Sequence, residues 1–282
     1  MDRVRIAVVA AMIALSGPVF AQQPAASPPH PVDFSKVEIK TTDLGDNCYM
    51  LQGEGGNITV AVGKDGIIMV DGQYAPLHDK IKAAIQAISK QPIKYLINTH
   101  YHDDHTGGNE AFAKDGVIIL SQINVMNRLA AGTTNGLTGA KTPPASQAAL
   151  PSDTYINFSK VRLSGRVADL KHIPNAHTDG DTYVWFKTAN VLSTGDTFTN
   201  GLYPNIDFAN GGHINGMIRY RRLSQAGEPQ DPDRSGPWAA RRQSGADGIP
   251  DHAGHRARAD NQTRQGGEKR GRGGGGKTVR GS

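Results

Sequence analysis

Cys48 is the only cysteine in the 282 residues. A single thiol cannot close an internal disulfide, and it rules out a cysteine-rich zinc module. Its setting, DNCYMLQ, alternates like a strand, so the thiol is expected to be buried and inert. Long apolar runs are also lacking. The stretch from Ile6 to Leu15 is too short to span a bilayer as a stable helix. It follows Arg3 and Arg5 and leads to Val19-Phe20-Ala21, a small-x-small cleavage site, so 1–21 is expected to be a secretory signal peptide. The residue directly after that site is Gln22, not cysteine, so a lipid-modified N-terminus is not expected. The mature chain is therefore expected in a periplasm or outside the cell, without membrane attachment once the signal is removed.

Large apolar residues are scarce at the other end. Among residues 220–282 only Tyr220, Leu223, Trp238, Ile249 and Val279 qualify, while 13 positions are glycine. Such a segment cannot supply a core and reads as a basic, disordered tail over 221–282. The net charge of +5 hides the same division. Residues 1–218 hold 17 Lys+Arg against 19 Asp+Glu, net −2, whereas 219–282 hold 14 against 7, net +7. The basic character belongs to the tail alone.

Between these ends the chain is ordinary globular sequence. Residues 22–36 form a Pro/Ala/Ser-rich linker. Strands are expected at 37–41, 48–52, 58–62 and 66–70, set apart by Gly, Asp and Lys turn signals. Leu77, Ile81, Ala84, Ile85 and Ile88 then recur at helical spacing behind Pro76. A short strand at 95–97 leads into NTHYHDDHTGGN, residues 98–109, followed by a helix at 108–112, a strand at 117–120 and a helix near 124–130. The stretch 131–154 is a long, Gly/Pro-punctuated polar loop, and loops of that length are often functional. Strands return at 167–173, 182–186 and 190–193. Strands followed by mixed strands and helices suggest two sheets covered by helices.

The histidine run is the chemical signal. His100 and His102 flank one residue, so on an extended strand end they point the same way. Asp104 and His105 follow in a turn and can aim at a second point nearby. Imidazole and carboxylate suit zinc or a similar borderline metal. Asp103 reads as a solvated or supporting carboxylate, Asp179 and Asp181 as turn residues about Gly180, and His78, His172 and His213 as surface or rim residues. Tyr203, Asn210 and His213 are candidates for lining a pocket.

His100-x-His102-x-Asp104-His105 with Thr106-Gly107-Gly108-Asn109 resembles the metal motif of the metallo-β-lactamase-fold hydrolases. GIIMVDGQY (66–74) resembles the strand ending in Asp before that family's first helix. NAHTDGDTYVWF (175–186) supplies His177, and NVLSTGDTF (190–198) supplies Asp196. The resemblance spans about 37–218 and implies an α/β, four-layer αββα sandwich over 37–220, incomplete at its C-terminal part. It implies one zinc on His100, His102 and His177, and a second on Asp104, His105 and Asp196, with Asp196 bridging. A hydroxide shared by the two metals would attack an ester, thioester, lactone or lactam-type bond of a small-molecule substrate, with Asp104 orienting it or moving a proton. Asp at 196 favours the branch resembling glyoxalase II and lactonases, since the best-known antibiotic-hydrolysing members usually carry Cys or Ser there.

One ligand of the family pattern is missing. A further histidine, usually in Pro-Gly-His-Gly behind an apolar strand, should follow Asp196. The corresponding stretch reads EPQDPDRSGPWAARR. His252 and His255 are the only later histidines, and no apolar strand positions them. The second zinc site is therefore expected to be weakened, which leaves open a zinc-binding protein with impaired or no hydrolase activity. GRGGGGKT (271–278) matches a phosphate-loop pattern but has neither strand before it nor room for a helix after it. Arg/Gly richness permits nucleic-acid binding, which an exported protein does not call for. A third reading, a one-base shift in the gene that puts the tail out of frame, would explain more. Read one base out of register, the codons for Glu228–Trp238 permit N-P-K-T-R-I-V-P-G-H-G, restoring both strand and histidine at the Pro237 codon. The oligomeric state is not legible from these features.

Overall fold

The computed structural model describes residues 32–136, 138–199, 203–226 and 241–242, with 221–226 and 241–242 described by backbone alone. The expected signal peptide, residues 22–31 of the linker, His252, His255 and the glycine tract near 273–276 lie outside the described residues.

A seven-stranded sheet has the order β1-β2-β3-β4-β5-β6-β9. Its members are β1 (Lys40–Gly45), β2 (Cys48–Gln52), β3 (Ile58–Val62), β4 (Ile67–Val70), β5 (Ile93–Ile97), β6 (Ile118–Gln122) and β9 (Asp153–Tyr155). The first four pair antiparallel, and from β4 onward the pairs are parallel. Helices α1 (His78–Ile88) and α3 (Asn109–Lys114) make the crossovers between parallel strands, as parallel pairing requires. Strands β7 (Thr133–Thr134) and β8 (Lys141–Thr142) form a small hairpin inside the long polar segment. The second sheet runs β10 (Phe158–Leu163), β11 (Arg166–Ile173), β12 (Asp181–Phe186), β13 (Val191–Ser193) and β14 (Arg241–Arg242).

Period-two alternation distributes three apolar layers. On β4, Ile68 and Val70 face the second sheet, where they meet Leu170, Val184, Phe186 and Val191. Ile67 and Met69 face the other way, onto Leu77, Ile81 and Ile85 of α1 and its approach and Phe112 of α3. On β12, Val184 and Phe186 belong to the layer between the sheets, while Tyr183 and Trp185 pack outward with Met217 and Tyr220 of α5 (Ile214–Ala226). Helix, sheet, sheet, helix is the expected αββα order. Cys48 is buried between the sheets, and desolvation pushes its thiol up to about 11, so it is inert as expected.

Several elements differ from the sequence reading. The first strand begins at Lys40 instead of 37, because Phe34–Lys36 forms a 3-10 turn whose carbonyls, with that of Val37, accept bonds from Lys80 Nζ. The end of the expected linker is thus docked on the domain. Strands β9 and β10 were not expected; β10 buries only Val161, so its apolar signal is thin. Helix α5 carries regular structure six residues past Tyr220.

Candidate metal centre

The histidine run sits where β5 ends. Asn98 and Asn109 exchange side-chain hydrogen bonds at 3.0 and 2.9 Å, both fully buried, which pins the start of α3 to the end of β5. Between them Asp103–Thr106 forms one helical turn, α2, and the Thr106 hydroxyl donates to the carbonyls of Tyr101 and His102. His177 enters from the β11–β12 connection and Asp196 from the turn after β13. The two sheets meet here: Thr182 N–H donates to the Thr99 carbonyl at 2.8 Å.

Two glycines allow the close approach. Gly195 has φ +51°, and a Cβ there would lie 2.6 Å from Thr99 Oγ1, so only glycine lets the Asp196 turn settle against Thr99. Gly56, between β2 and β3, lies against the His105 ring, and a Cβ would collide with it.

All six expected residues converge. Ligand-capable atoms of His100, His102 and His177 lie within 4.8 Å of one another, and so do those of His100, His105 and Asp196. Nε2 of His100 and Nε2 of His177 are 3.1 and 2.9 Å from Nδ1 of His102. His105 Nε2 lies 3.1 Å from Asp196 Oδ1 and 3.4 Å from Asp104 Oδ2. Asp196 Oδ2 lies 3.8 Å from His177 Nε2, which places that carboxylate between the two groups.

The far side of each ring decides what the near side presents. His177 Nδ1 donates to the Asn205 carbonyl at 2.8 Å. His102 Nε2 donates to the Asp207 carboxylate at 3.0 Å. Thr99 spends its own proton on Asp71 Oδ2, so its oxygen accepts from His100 Nδ1 at 3.1 Å. With one nitrogen protonated in each neutral ring, the other carries only a lone pair. In these tautomers three lone pairs converge, the His102 nitrogen 3.1 and 2.9 Å from the other two and all within 4.8 Å, an arrangement that repels unless a cation lies between them.

The second group is built around His105. His105 Nδ1 donates to Asp71 Oδ2 at 2.9 Å, while its buried Nε2 makes no aligned hydrogen bond. Burial disfavours a charged His105, yet Asp104, Asp71 and Asp196 outweigh it and hold its pKa well above the ordinary imidazole value. Burial likewise opposes a charged Asp196, but His105 and the other imidazoles hold it well below the carboxylate range. Three carboxylates, from Asp71, Asp104 and Asp196, lie within 3.4 Å of the His105 ring, a concentration of negative charge that suits a cation. Burial, reinforced by His105 and His177, pushes His100 well below its ordinary value and keeps it neutral for coordination. The donor set therefore fits borderline divalent metals.

The neighbouring expectations sort as follows. Burial first, then the Asp104 charge, raises Asp103, which lines a cleft of 340 Å³ shared with Tyr101, His102, Arg128, Pro143 and Asp207. Asp179 is paired with Arg128 at 2.6 Å. Asp181 begins β12 rather than lying in a turn, accepts from Thr178 N and Oγ1, and is raised to about 6 by burial. His172 is half-buried against the Asp179 carbonyl, and His78 bridges Asp79 and Asp115. His213 is exposed and Tyr203 is 99 % exposed, while Asn210 is buried on Asp207. Sequence reasoning missed the outer groups. Asp71 was visible only as a strand-ending Asp in a resembling stretch, and Thr99, Asn205 and Asp207 carried no signal, because backbone carbonyls and lone carboxylates have no motif.

The model of the metallo-beta-lactamase superfamily matches residues 47–247. An N-acyl homoserine lactonase from Bacillus sp. is 34% identical over 108 residues, 31% of this chain and 43% of that protein. A linear primary-alkylsulfatase from a Pseudomonas strain is 32% identical over 62 residues, 22% of this chain and 12% of the relative. The chain thus spans less than half the length of these curated relatives. A subclass B3 metallo-beta-lactamase of Bradyrhizobium japonicum has a similar fold, with TM-score 0.54 and 20% identity, over 69% of this chain and 76% of that one. A metallo-beta-lactamase from Pontibacter korlensis aligns with TM-score 0.53 and 18% identity, over 67% and 86%. Layer order, converging ligands and a family match across most of the chain agree, and the protein belongs to the metallo-beta-lactamase superfamily.

Proposed function

We propose that this protein is an exported, zinc-dependent hydrolase of small molecules, acting on an ester, thioester, lactone or lactam-type bond. The observation that carries it is the convergence of three imidazole lone pairs whose opposite nitrogens are already committed. His100, His102 and His177 would hold the tighter zinc, and Asp104, His105 and Asp196 the weaker one. Metal bound there would lower the pKa of water and stabilise negative charge on the oxygen of the bond being cleaved. Asp104 would take and return a proton between that position and bulk water, a role its 27% exposed side chain supports. The 340 Å³ cleft beside His102 and Asp103 offers room for a substituent of a small substrate. Aspartate at 196 and the likeness to N-acyl homoserine lactonases favour a lactone.

A second reading rests on the stretch after Asp196, which lacks the expected histidine. In that reading the protein binds zinc but hydrolyses little or nothing. Chromogenic lactones, thioesters and lactams, assayed with the zinc-loaded full chain before and after chelation, separate the two. Lactone hydrolysis abolished by chelator is expected. Zinc uptake without turnover of any of them would favour the second reading.

A further inference from the structure

The segment 205–210 touches both faces of the three-histidine group. Asn205 supplies the carbonyl that accepts from His177 Nδ1, and Asp207 N–H donates to the His177 carbonyl at 2.9 Å. The Asp207 side chain turns to the other ring and accepts from His102 Nε2 at 3.0 Å. Tyr101 also donates its hydroxyl to Asp207 Oδ2. Asn210 donates to both Asp207 oxygens at 2.8 Å, and its own carbonyl oxygen accepts from Arg128 at 3.1 Å, which fixes the amide orientation. Arg128 is held in turn by Asp179 at 2.6 Å.

We infer that Asp207 is the positioning residue that fixes His102 as the Nε2–H tautomer and so presents Nδ1 to the metal. His102 is the one imidazole of the group that turns Nδ1 inward and would offer it to a metal, whereas His100 and His177 turn Nε2 inward. In a free imidazole the proton favours neither nitrogen strongly, so an outer acceptor selects the geometry. Asp207 suits the task because its carboxylate is fixed behind the ring, accepting from His102, from the Tyr101 hydroxyl and from the Asn210 amide. A negative charge behind the ring also makes Nδ1 a stronger donor toward a cation. Asn210 and Arg128 then serve as the brace that keeps the carboxylate facing His102.

This inference rests on the metal reading above, and its test does not need turnover. Zinc affinity of the full chain is measured by competition with a chromogenic chelator, for wild type, Asp207→Asn and Tyr101→Phe. Asp207→Asn is close to isosteric and is expected to weaken zinc about ten- to a hundredfold, with altered ligand-field bands in the cobalt-loaded protein. Tyr101→Phe leaves the Asp207–His102 bond in place and is expected to change affinity much less. Asp207→Asn with wild-type affinity and bands would overturn the inference alone. A wild-type chain that takes up no zinc would overturn the metal reading with it. If the Asn variant does not fold, long-range proton–nitrogen spectra of zinc-loaded wild type decide. His102 protonated at Nε2 is expected, and His102 protonated at Nδ1 would refute the assignment.

Discussion

Asp71 illustrates how one residue holds a site together. It follows β4 with φ +64°, a conformation unusual for a residue with a side chain, and strain of this kind gathers where function needs a fixed direction. That turn aims one carboxylate oxygen at Thr99 N–H and the other at the Thr99 hydroxyl and His105 Nδ1, all 2.8–2.9 Å away and buried. Asp71→Ala would leave these donors unpaired in a dry interior. The expected loss is on the order of 3 kcal/mol of stability, with weaker metal at His105. Urea denaturation of the chelated protein and zinc titration check the two parts; wild-type stability would contradict the first.

At the scale of elements, the site depends on turns that approach closely. Gly195→Ala adds a methyl 2.6 Å from Thr99 Oγ1 at a positive φ, so the Asp196 turn must move. A destabilisation of about 1–2 kcal/mol is expected, together with loss of the weaker metal while the three-histidine zinc remains. Thermal melting and metal analysis read both, and equal loss of both metals would count against separate sites. Phe112→Ala, in the layer between sheet and helices, is expected to cost about 3–5 kcal/mol yet leave zinc affinity of the folded protein unchanged. The elements best legible in the sequence were those with one strong periodicity: β2, β3, α1 and β12 fall within a residue or two of their expected bounds. The four residues of the histidine run were legible because one motif holds them, and His177 and Asp196 through resembling stretches; the structure brings all six near one another. Strands β9 and β10 were not, because β10 shows Phe158 to solvent and buries little, and the small β7–β8 hairpin has two residues per arm. Asp207 was not, because its role arises from a chain separation of 105 residues that no local pattern encodes.

For the whole molecule, export and the C-terminal stretch are the open proposals. A mature chain beginning at or near Gln22 is expected in a periplasmic extract, and mass spectrometry showing intact Met1 there would contradict export. The proposed frameshift makes a matching claim about the gene: resequencing near codons 219–222 should reveal a one-base insertion or equivalent shift, and a clean read removes the idea. Restoring the frame is expected to add a histidine at the Pro237 codon, a second zinc and a large gain in hydrolysis. The central claim, that His100, His102 and His177 form the tighter metal site, is tested most directly by elemental analysis of the purified full chain and of His102→Ala. Wild type is expected to carry zinc nearer one than two per chain, and His102→Ala to lose most of it while remaining folded. Unchanged zinc in His102→Ala, or none in wild type, would contradict the assignment.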